Sequence, residues 1–364
     1  MEKTFTYYDM EADSGSAVKA TCLSCSYVTV DSNFKTVEEG TFNSRLRKSR
    51  AFEVDAMLAH SIPIKKIQSE KLSNGELVDK LEAKFIELAK KGTVFVGYNS
   101  SGYDQILLNH MLHLNLKWPY ITSKEQFDLL PAVRAASVFE PKALNYLTNF
   151  KGNTSYKLQD MIKANNIKSE VAHDSLWDTR ATKDLGHLLF KNAPEVFNAS
   201  IALRKKEDVL SRIKDDIFCW NEFFFAKAKV FCGCYLGSTI YPNWHYLFDL
   251  RQSPEEIVSI MNNRDELKKR VETSPRFIRI CKGNRSPIIM GKENAFNIEE
   301  DYKALGIKEI ERRYNYLKKH REELSVRLRD LANEKIEEKN QFEQERKLPE
   351  ENLYGLVINN DERK

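Results

Sequence analysis

KTFTYYDMEADSG, residues 3–15, sets two acids one residue apart at the end of a run of aromatic and β-branched residues. Such a run reads as a β-strand, and in a strand residues i and i+2 point to the same face. Asp9 and Glu11 therefore project together as neighbouring carboxylates. Like charges so placed repel unless a proton or a cation sits between them. The stretch thus predicts a sheet and, on one face of it, a place that asks for a cation.

Working outward, KATCLSCSYVTVD (19–31) reads as a second strand, with Asp13, Ser14 and Gly15 as turn residues between the two. NGELVDKLEAKFIELAKK (74–91) has apolar residues at helical spacing and stops at Gly92. TVFVGYN (93–99) is a short apolar strand, and GYDQILLNHMLHL (102–114) follows it at once as a helix. SYKLQDMIKANNI (155–167) and DSLWDTRATKDLGHLLFK (174–191) are helical, the latter with Asp174 or Ser175 as its cap. Strands alternating with helices predict an α/β fold for roughly residues 1–195.

Beyond that point the pattern changes. From about 229 to 291, short β-like runs such as KVFCGCYLG, HYLFDL and PRFIRICKG are broken by Gly, Pro and Asn, which predicts a small β-barrel-like second domain. Residues 308–347 read as one long charged helix whose apolar positions are too sparse and irregular for a coiled coil, hence a solvated helix.

A chain of 364 residues favours two or three domains over one. The net charge of +4 neither demands nor excludes nucleic acid, because a local basic groove matters more than the sum. No run of about 18 apolar residues appears, and acids stand where a signal peptide would have its apolar core, so an intracellular, cytoplasmic protein without a membrane segment is expected. Cys22 and Cys25 form a CxxC inside a strand-like run with no second pair at zinc-finger spacing, and Cys232 and Cys234 alternate in another. Both pairs read as reduced thiols in packed strands.

The chemistry lies in four acids and a histidine. Asp104 follows the strand 93–99 and opens a helix, and Asp178 sits in the first turns of another, five residues after His173. Strand ends and helix N-termini are where α/β folds build their sites. If the strands are adjacent and parallel, Asp9, Glu11, Asp104 and Asp178 converge on one point. An all-oxygen cluster suits Mg²⁺ or Mn²⁺ rather than zinc. Two such ions, about 4 Å apart, clamp the attacking and leaving oxygens of an in-line phosphoryl displacement. His173, with an ordinary pKa near 6.5, would take the proton of the attacking water. Asp174 beside it reads as a cap rather than a ligand.

YDME (8–11), GYNSSGYDQ (97–105) and KANNIKSEVAHDSLWDTRAT (163–182) resemble the three exonuclease motifs of the DEDDh superfamily of 3′–5′ exonucleases. The His five residues before the last Asp marks the histidine subclass; the proofreading type has a Tyr four residues before it, where Asp174 stands. Within the superfamily the chain is most similar to the bacterial exonuclease I family of single-strand-specific deoxyribonucleases. FDLLPAVRAAS (127–137), and in the second half KGNRSPII (282–289), ALGIKEIERRYNYLKKHRE (304–322) and NLYGLVIN (352–359), resemble that family's segments.

The resemblance implies a ribonuclease H-like exonuclease domain at 1–195 and an SH3-like domain with the long charged helix at 196–345. Residues 346–364 would be a tail, the start of a C-terminal helical domain that this chain does not contain. It implies that Asp9, Glu11 and Asp178 bind metal directly with Asp104 helping, that His173 is the general base, and that two Mg²⁺ ions, replaceable by Mn²⁺, serve as cofactor. Lys157 stands where the family has a substrate-contacting arginine, keeping the charge but not the bidentate fork. Arg134, Asn109 and Tyr120 fall at other family contact positions. Arg276, Arg279, Lys282 and Arg285 lie close together as a basic, hairpin-like patch able to track a DNA backbone. Ala12 replaces a family hydroxyl beside the terminal nucleotide.

The expected activity is removal of 5′-mononucleotides from the 3′ end of single-stranded DNA by a monomer, in a bacterial or phage setting, with a single-strand-binding protein as partner. The rival expectations are an RNA- or oligonucleotide-trimming nuclease with the same residues and a nucleic-acid-binding protein that does not cut.

Overall fold

Phe5–Ala12 and Cys22–Val30 form the antiparallel strands β1 and β2, as their aromatic and β-branched composition predicts. A strand not foreseen, β3 (Thr36–Asn43), adds to the free side of β2. Its sequence TVEEGTFN hides it: no residue of the strand is buried, and charged residues on an edge strand discourage edge-to-edge pairing. The computed structural model describes residues 4–48, 50–60, 62–122, 126–168, 174–214 and 216–342. They divide into two compact units, residues 4–130 with 155–188 and residues 131–154 with 189–342.

The first unit continues with two short helices, α1 (Val54–His60) and α2 (Ile64–Ser69), and the long α3 (Asn74–Lys90). Helix α3 starts at a reciprocal capping box between Ser73 and Glu76 and stops before Gly92, which sits at φ +77°. Strand β4 (Val94–Gly97), helix α4 (Asp104–Leu114), strand β5 (Gln126–Asp128) and helices α5 (Leu129–Phe139), α6 (Leu158–Ala164) and α7 (Ser175–Asn192) follow, α5 from Pro131 and α7 from Leu189 counting with the second unit. The sheet order is β3-β2-β1-β4-β5, with β4 parallel to β1 and β5 parallel to β4.

The two faces of β1 have different fates. Tyr8 and Met10 point into a core with Leu77, Leu81 and Phe85 of α3 and Leu107, Leu108 and Met111 of α4, where each large side chain removed from water contributes about 1.5–3 kcal/mol. Tyr7 points the other way, toward α7, where a Cβ on Gly186 would come within 2.5 Å of the Tyr7 hydroxyl. Phe5 stacks on Phe34, which stacks on His187 of the same helix. Period-2 alternation therefore sends Asp9 and Glu11 to the α7 face.

The second unit holds α8 (Pro194–Ala202), α9 (Lys206–Ile213), β6 (Ile217–Phe224), β7 (Lys227–Ser238) and β8 (Trp244–Asp249). Then come α10 (Pro254–Ile260), α11 (Arg264–Glu272), β9 (Ile278–Lys282), β10 (Ile289–Gly291), α12 (Glu293–Ile298) and α13 (Glu300–Phe342). Its sheet is antiparallel in the order β10-β6-β7-β8-β9 over a core of Phe218, Trp220, Phe231 and Leu247 with Val209 and Ile213. The β-rich region starts at 217, earlier than the expected 229. The fold class is the expected one: an α/β unit of ribonuclease H-like strand order, and a second unit that carries the β-rich SH3-like part and the long C-terminal helix. Among the described residues this second unit is not the smaller of the two.

The structure corrects two expectations. Helix α13 begins at Glu300, is broken at Gly306 (φ 72°, ψ 160°), and is not simply solvated. Ile310, Leu317, Leu324 and Leu331 are buried at seven-residue intervals, with Leu328 beside them, and Ser325 lies so close to Gly237 of β7 that a Cβ there would clash with its hydroxyl. One leucine every two turns suffices for a narrow seam. Second, PRFIRICKG is no hairpin: β9 pairs with β8, and the next strand, β10, pairs with β6.

All six cysteines are buried free thiols. Burial pushes Cys22 and Cys25 up, opposite to what a metal-binding thiolate needs. Among the described residues no helix is long and apolar enough to cross a membrane.

Candidate active site

The β1–β2 register sets Asp9 opposite Ser26 and Glu11 opposite Ser24. Both serine hydroxyls hydrogen-bond the Ser175 hydroxyl, each at 2.7 Å, and so fix the first residue of α7 against the sheet beside the acids. Asp174 caps this helix, its Oδ1 accepting from the Leu176 N–H at 3.1 Å and the Trp177 N–H at 3.3 Å. Asp178, one turn on from Ser175, is thereby brought to β1. One carboxylate oxygen from each of Asp9, Glu11 and Asp178 lies within 4.8 Å of the others.

Asp104 is placed by a different device. Gly97 ends β4 in a tight approach, where a Cβ would meet the Ser100 side chain at 2.4 Å. Asn99 turns the chain at φ 60°. Asp128, at the end of β5, then accepts from Asn99 N–H (2.8 Å), Ser101 N–H (3.1 Å) and Ser101 hydroxyl (2.6 Å). Tyr103 occupies the N-cap position of α4 without a side-chain bond. Asp104 is the first residue of α4, and its Oδ1 accepts the Met10 N–H at 3.0 Å, which holds it behind the trio.

The electrostatics are those of unneutralised acids. Burial first, then Glu11, Asp104, Asp178 and Asp174, push the Asp9 carboxyl well above the usual range. Burial, followed by Asp178, Asp104 and Asp174, pushes Glu11 up to about 8. Burial also raises Asp104 to about 7 against the lowering effect of its backbone hydrogen bonds. Asp9 Oδ2 is buried and has no hydrogen-bond partner among the described residues. An orphaned buried oxygen among carboxylates is the donor set of a hard divalent cation, and the cluster fits one.

Behind Asp178 stands Gln159 of α6, whose amide donates to Asp178 Oδ1 at 2.9 Å. This residue and Asp128 were missed from the sequence. Both act by position, and neither belongs to the acid–acid spacing that gives the trio away.

The other expected residues fall as follows. His173 lies outside the described residues, as does the tail from 343 onward. Lys157 is exposed at the N-cap of α6. Asn109 is turned inward, 4% exposed, and with its nitrogen toward Pro119 its amide donates to that carbonyl at 2.8 Å. Tyr120 packs edge-on against Trp118. Arg134 belongs to the second unit and stacks on Phe223 with 3.9 Å to the ring centroid. Of the basic four, Arg276, Lys282 and Arg285 are exposed, with Lys282 4.1 Å from the Trp244 ring. Arg279 is half-buried, paired with Glu222 at 2.7 Å and laid over Phe231.

No family model matches the chain. Among curated proteins it is similar to exodeoxyribonuclease I of Buchnera aphidicola subsp. Acyrthosiphon pisum, 30% identical over 163 residues, which are 43% of this chain and 39% of that protein. The match thus spans about two fifths of the relative's length. Among solved structures, E. coli exonuclease I in complex with a dA16 oligonucleotide superposes with a TM-score of 0.79 at 18% identity, over all of this chain and 79% of that one. A structure of SSB/exonuclease I in complex with the inhibitor CFAM gives 0.77 at 19% identity, over all of this chain and 78% of that one. The chain is exonuclease I-like in sequence over the matched stretch and in fold throughout.

Proposed function

We propose that this chain is a divalent-metal-dependent 3′–5′ exonuclease that hydrolyses single-stranded DNA to 5′-mononucleotides. The observation that carries the reading is the approach of Asp9, Glu11 and Asp178 oxygens to within 4.8 Å of one another, on a chain with the exonuclease I fold. Asp9, Glu11 and Asp178 hold the metal, with Asp104 behind them. A pair of Mg²⁺ or Mn²⁺ ions, when bound, supplies charge neutralisation at the attacking and leaving oxygens. His173 takes the proton from the attacking water, and Lys157 puts a cation on the phosphate. A single-strand-binding protein is the partner class that goes with this reading, since SSB and exonuclease I occur together in a solved structure.

The test is a set of 5′-labelled oligonucleotides of one sequence, as single-stranded DNA, duplex DNA and RNA, incubated with Mg²⁺. The expected result is a ladder shortening from the 3′ end, fastest on single-stranded DNA, with mononucleotides as the released product. Faster trimming of the RNA would reassign the substrate. Binding without cutting in either Mg²⁺ or Mn²⁺ would make the chain a binding module.

Two further outcomes follow from the site. Because the folded chain holds protons on Glu11 and Asp104 up to pH about 8 and about 7, against 4.5 and 3.8 ordinarily, the metal-free fold binds more protons than the unfolded chain in that window. Stability from this site is full below the ordinary values and falls as the pH rises through the raised ones. Thermal unfolding in chelator should therefore show a melting temperature that drops between pH 5 and 8, and Mg²⁺ should raise it more at pH 8 than at pH 5. Equal Mg²⁺ shifts at both pH values would count against the cluster as the metal site.

Gln159→Leu removes the amide that α6 donates to Asp178 Oδ1. A ligand freed of its orienting hydrogen bond loses metal affinity, typically by about 10–100-fold. Mn²⁺ titration followed by electron paramagnetic resonance should show that loss, with melting temperature in chelator nearly unchanged.

A further inference from the structure

The β6–β7 hairpin runs past the sheet it belongs to. Strand β10 pairs with β6 only at Phe218–Trp220, and β8 pairs with β7 only from Gly233 onward. Asn221–Phe224 therefore pair with Lys227–Val230 and, among the described residues, with no other strand. Its base is held by Arg134 over Phe223, Arg279 on Glu222 and the Val230 N–H on Glu299, so the surface chemistry of the tip is the guide to what the ribbon meets.

The tip is an unusual choice for a turn. Phe225 and Ala226 both lie in the left-handed region, at φ 50° and 58°. Two-residue hairpin turns with that backbone are normally filled by Asn and Gly, which tolerate it. Here a phenylalanine occupies the first position and is 91% exposed, its ring edge-on to that of Phe224 at 5.8 Å. Neither folding nor packing explains a strained, solvent-facing aromatic ring.

Around it the charge is positive. Lys227 and Lys229 are exposed on β7 and, two residues apart, share the face that carries Phe224; the Lys229 ammonium lies 5.2 Å from the Phe224 ring. The one carboxylate within the ribbon, Glu222, lies opposite Lys229 in the register and is ion-paired to Arg279 at 2.7 Å, and Glu299 accepts the Val230 N–H at the ribbon's base, which leaves Lys227, beside the tip, as the cation with no carboxylate opposite it. A flat exposed ring flanked by exposed cations on an extended ribbon complements a chain that alternates flat π-faces with anions, which is single-stranded nucleic acid. A protein partner would meet the ring but has no general reason to match the cations.

We propose that the β6–β7 ribbon is a single-stranded nucleic-acid arm, in which Phe225 stacks on a base and Lys227 and Lys229 take flanking phosphates. The proposal rests on the nuclease reading for its ligand and deepens it, but it concerns binding and can fail or hold separately.

The test uses the full chain in chelator, where the strand stays uncut, with a fluorescent 20-nucleotide oligo-dT followed by anisotropy. Phe225→Ser should weaken binding by about 5- to 150-fold, the range of one lost base stack, whereas Phe225→Trp should keep the affinity and show emission quenched on binding beyond that of the parent chain. Lys227→Gln with Lys229→Gln should lower the slope of log affinity against log salt by about 1.4, two single-strand phosphate contacts. Phe225 is exposed, so these variants should melt with the parent chain. Unchanged affinity for Phe225→Ser together with an unchanged salt slope for the double lysine variant overturns the arm, as does failure of the parent chain to bind the oligonucleotide. A parent chain that cuts DNA in Mg²⁺ while Phe225→Ser and the double lysine variant both bind as the parent does sinks the arm alone. One that binds through Phe225 yet cuts nothing sinks the catalytic reading alone.

Discussion

Asp9→Ala should abolish cleavage while making the metal-free protein more stable. The two effects have one cause. Asp9 brings a half-buried carboxylate, its Oδ2 out of solvent and without a hydrogen bond among the described residues, into the field of Glu11, Asp104, Asp178 and Asp174. Without a cation that arrangement only costs stability, because burial and like charge both oppose ionisation. Removing the carboxylate relieves the cost, so in chelator at pH 8 the variant should melt above the parent chain. With Mg²⁺ the sign reverses, since the parent gains a ligand-linked stabilisation that the variant lacks. Cleavage should fall by roughly a thousandfold or more, as for groups whose interaction is made only in the transition state. Asp9→Asn, which keeps the shape and loses the charge, should behave alike. A structural role for Asp9 would give the opposite pair: retained cleavage and lower stability.

Tyr302→Phe should destabilise the second unit strongly, although it removes one oxygen atom. Tyr302 is fully buried. Its hydroxyl donates to Asp249 Oδ1 at 2.6 Å and accepts from the Cys232 N–H at 2.9 Å. Asp249 is itself buried, 2% exposed, with Arg251 as its ionic neighbour at 3.5 Å. The substitution leaves a buried amide without that acceptor and a buried carboxylate without the tyrosine hydroxyl. Stranding buried groups costs about 1–3 kcal/mol each, more for a charged one, so about 2–4 kcal/mol is expected. For a unit of this size that is a fall of about 5–15 °C in melting temperature, read by calorimetry. A shift near zero would mean that Asp249 finds full compensation from Arg251.

Much of the candidate site was legible because its signal is local. The i, i+2 acids of YDME fix a shared strand face whatever the rest of the chain does. Asp174 reads as a cap from its place before a helical run, and it caps α7. What escaped is what depends on long-range partners. Gln159 looks like any polar residue on a short helix until α7 is packed beside it. Asp128 sits in FDLLPAVRAAS, which reads as an apolar run, yet it organises a turn 27 residues upstream that aims Asp104. Arg279 counts as a basic charge in sequence and is a partner of Glu222 in the fold. The seam of α13 was hidden because apolar residues seven apart look sparse among so many charges, and β3 because its two large apolar residues, Val37 and Phe42, fall five apart and show no period-2 alternation.

The most direct test of why these acids are gathered is a crystal of the chain soaked in Mn²⁺ and measured for anomalous scattering. The expected result is a peak within coordination distance of Asp9, Glu11 and Asp178, lost in Asp9→Asn crystals soaked in the same way. A map with no peak at the trio under saturating Mn²⁺, or with manganese bound only elsewhere, would contradict the reading of these carboxylates as a metal site.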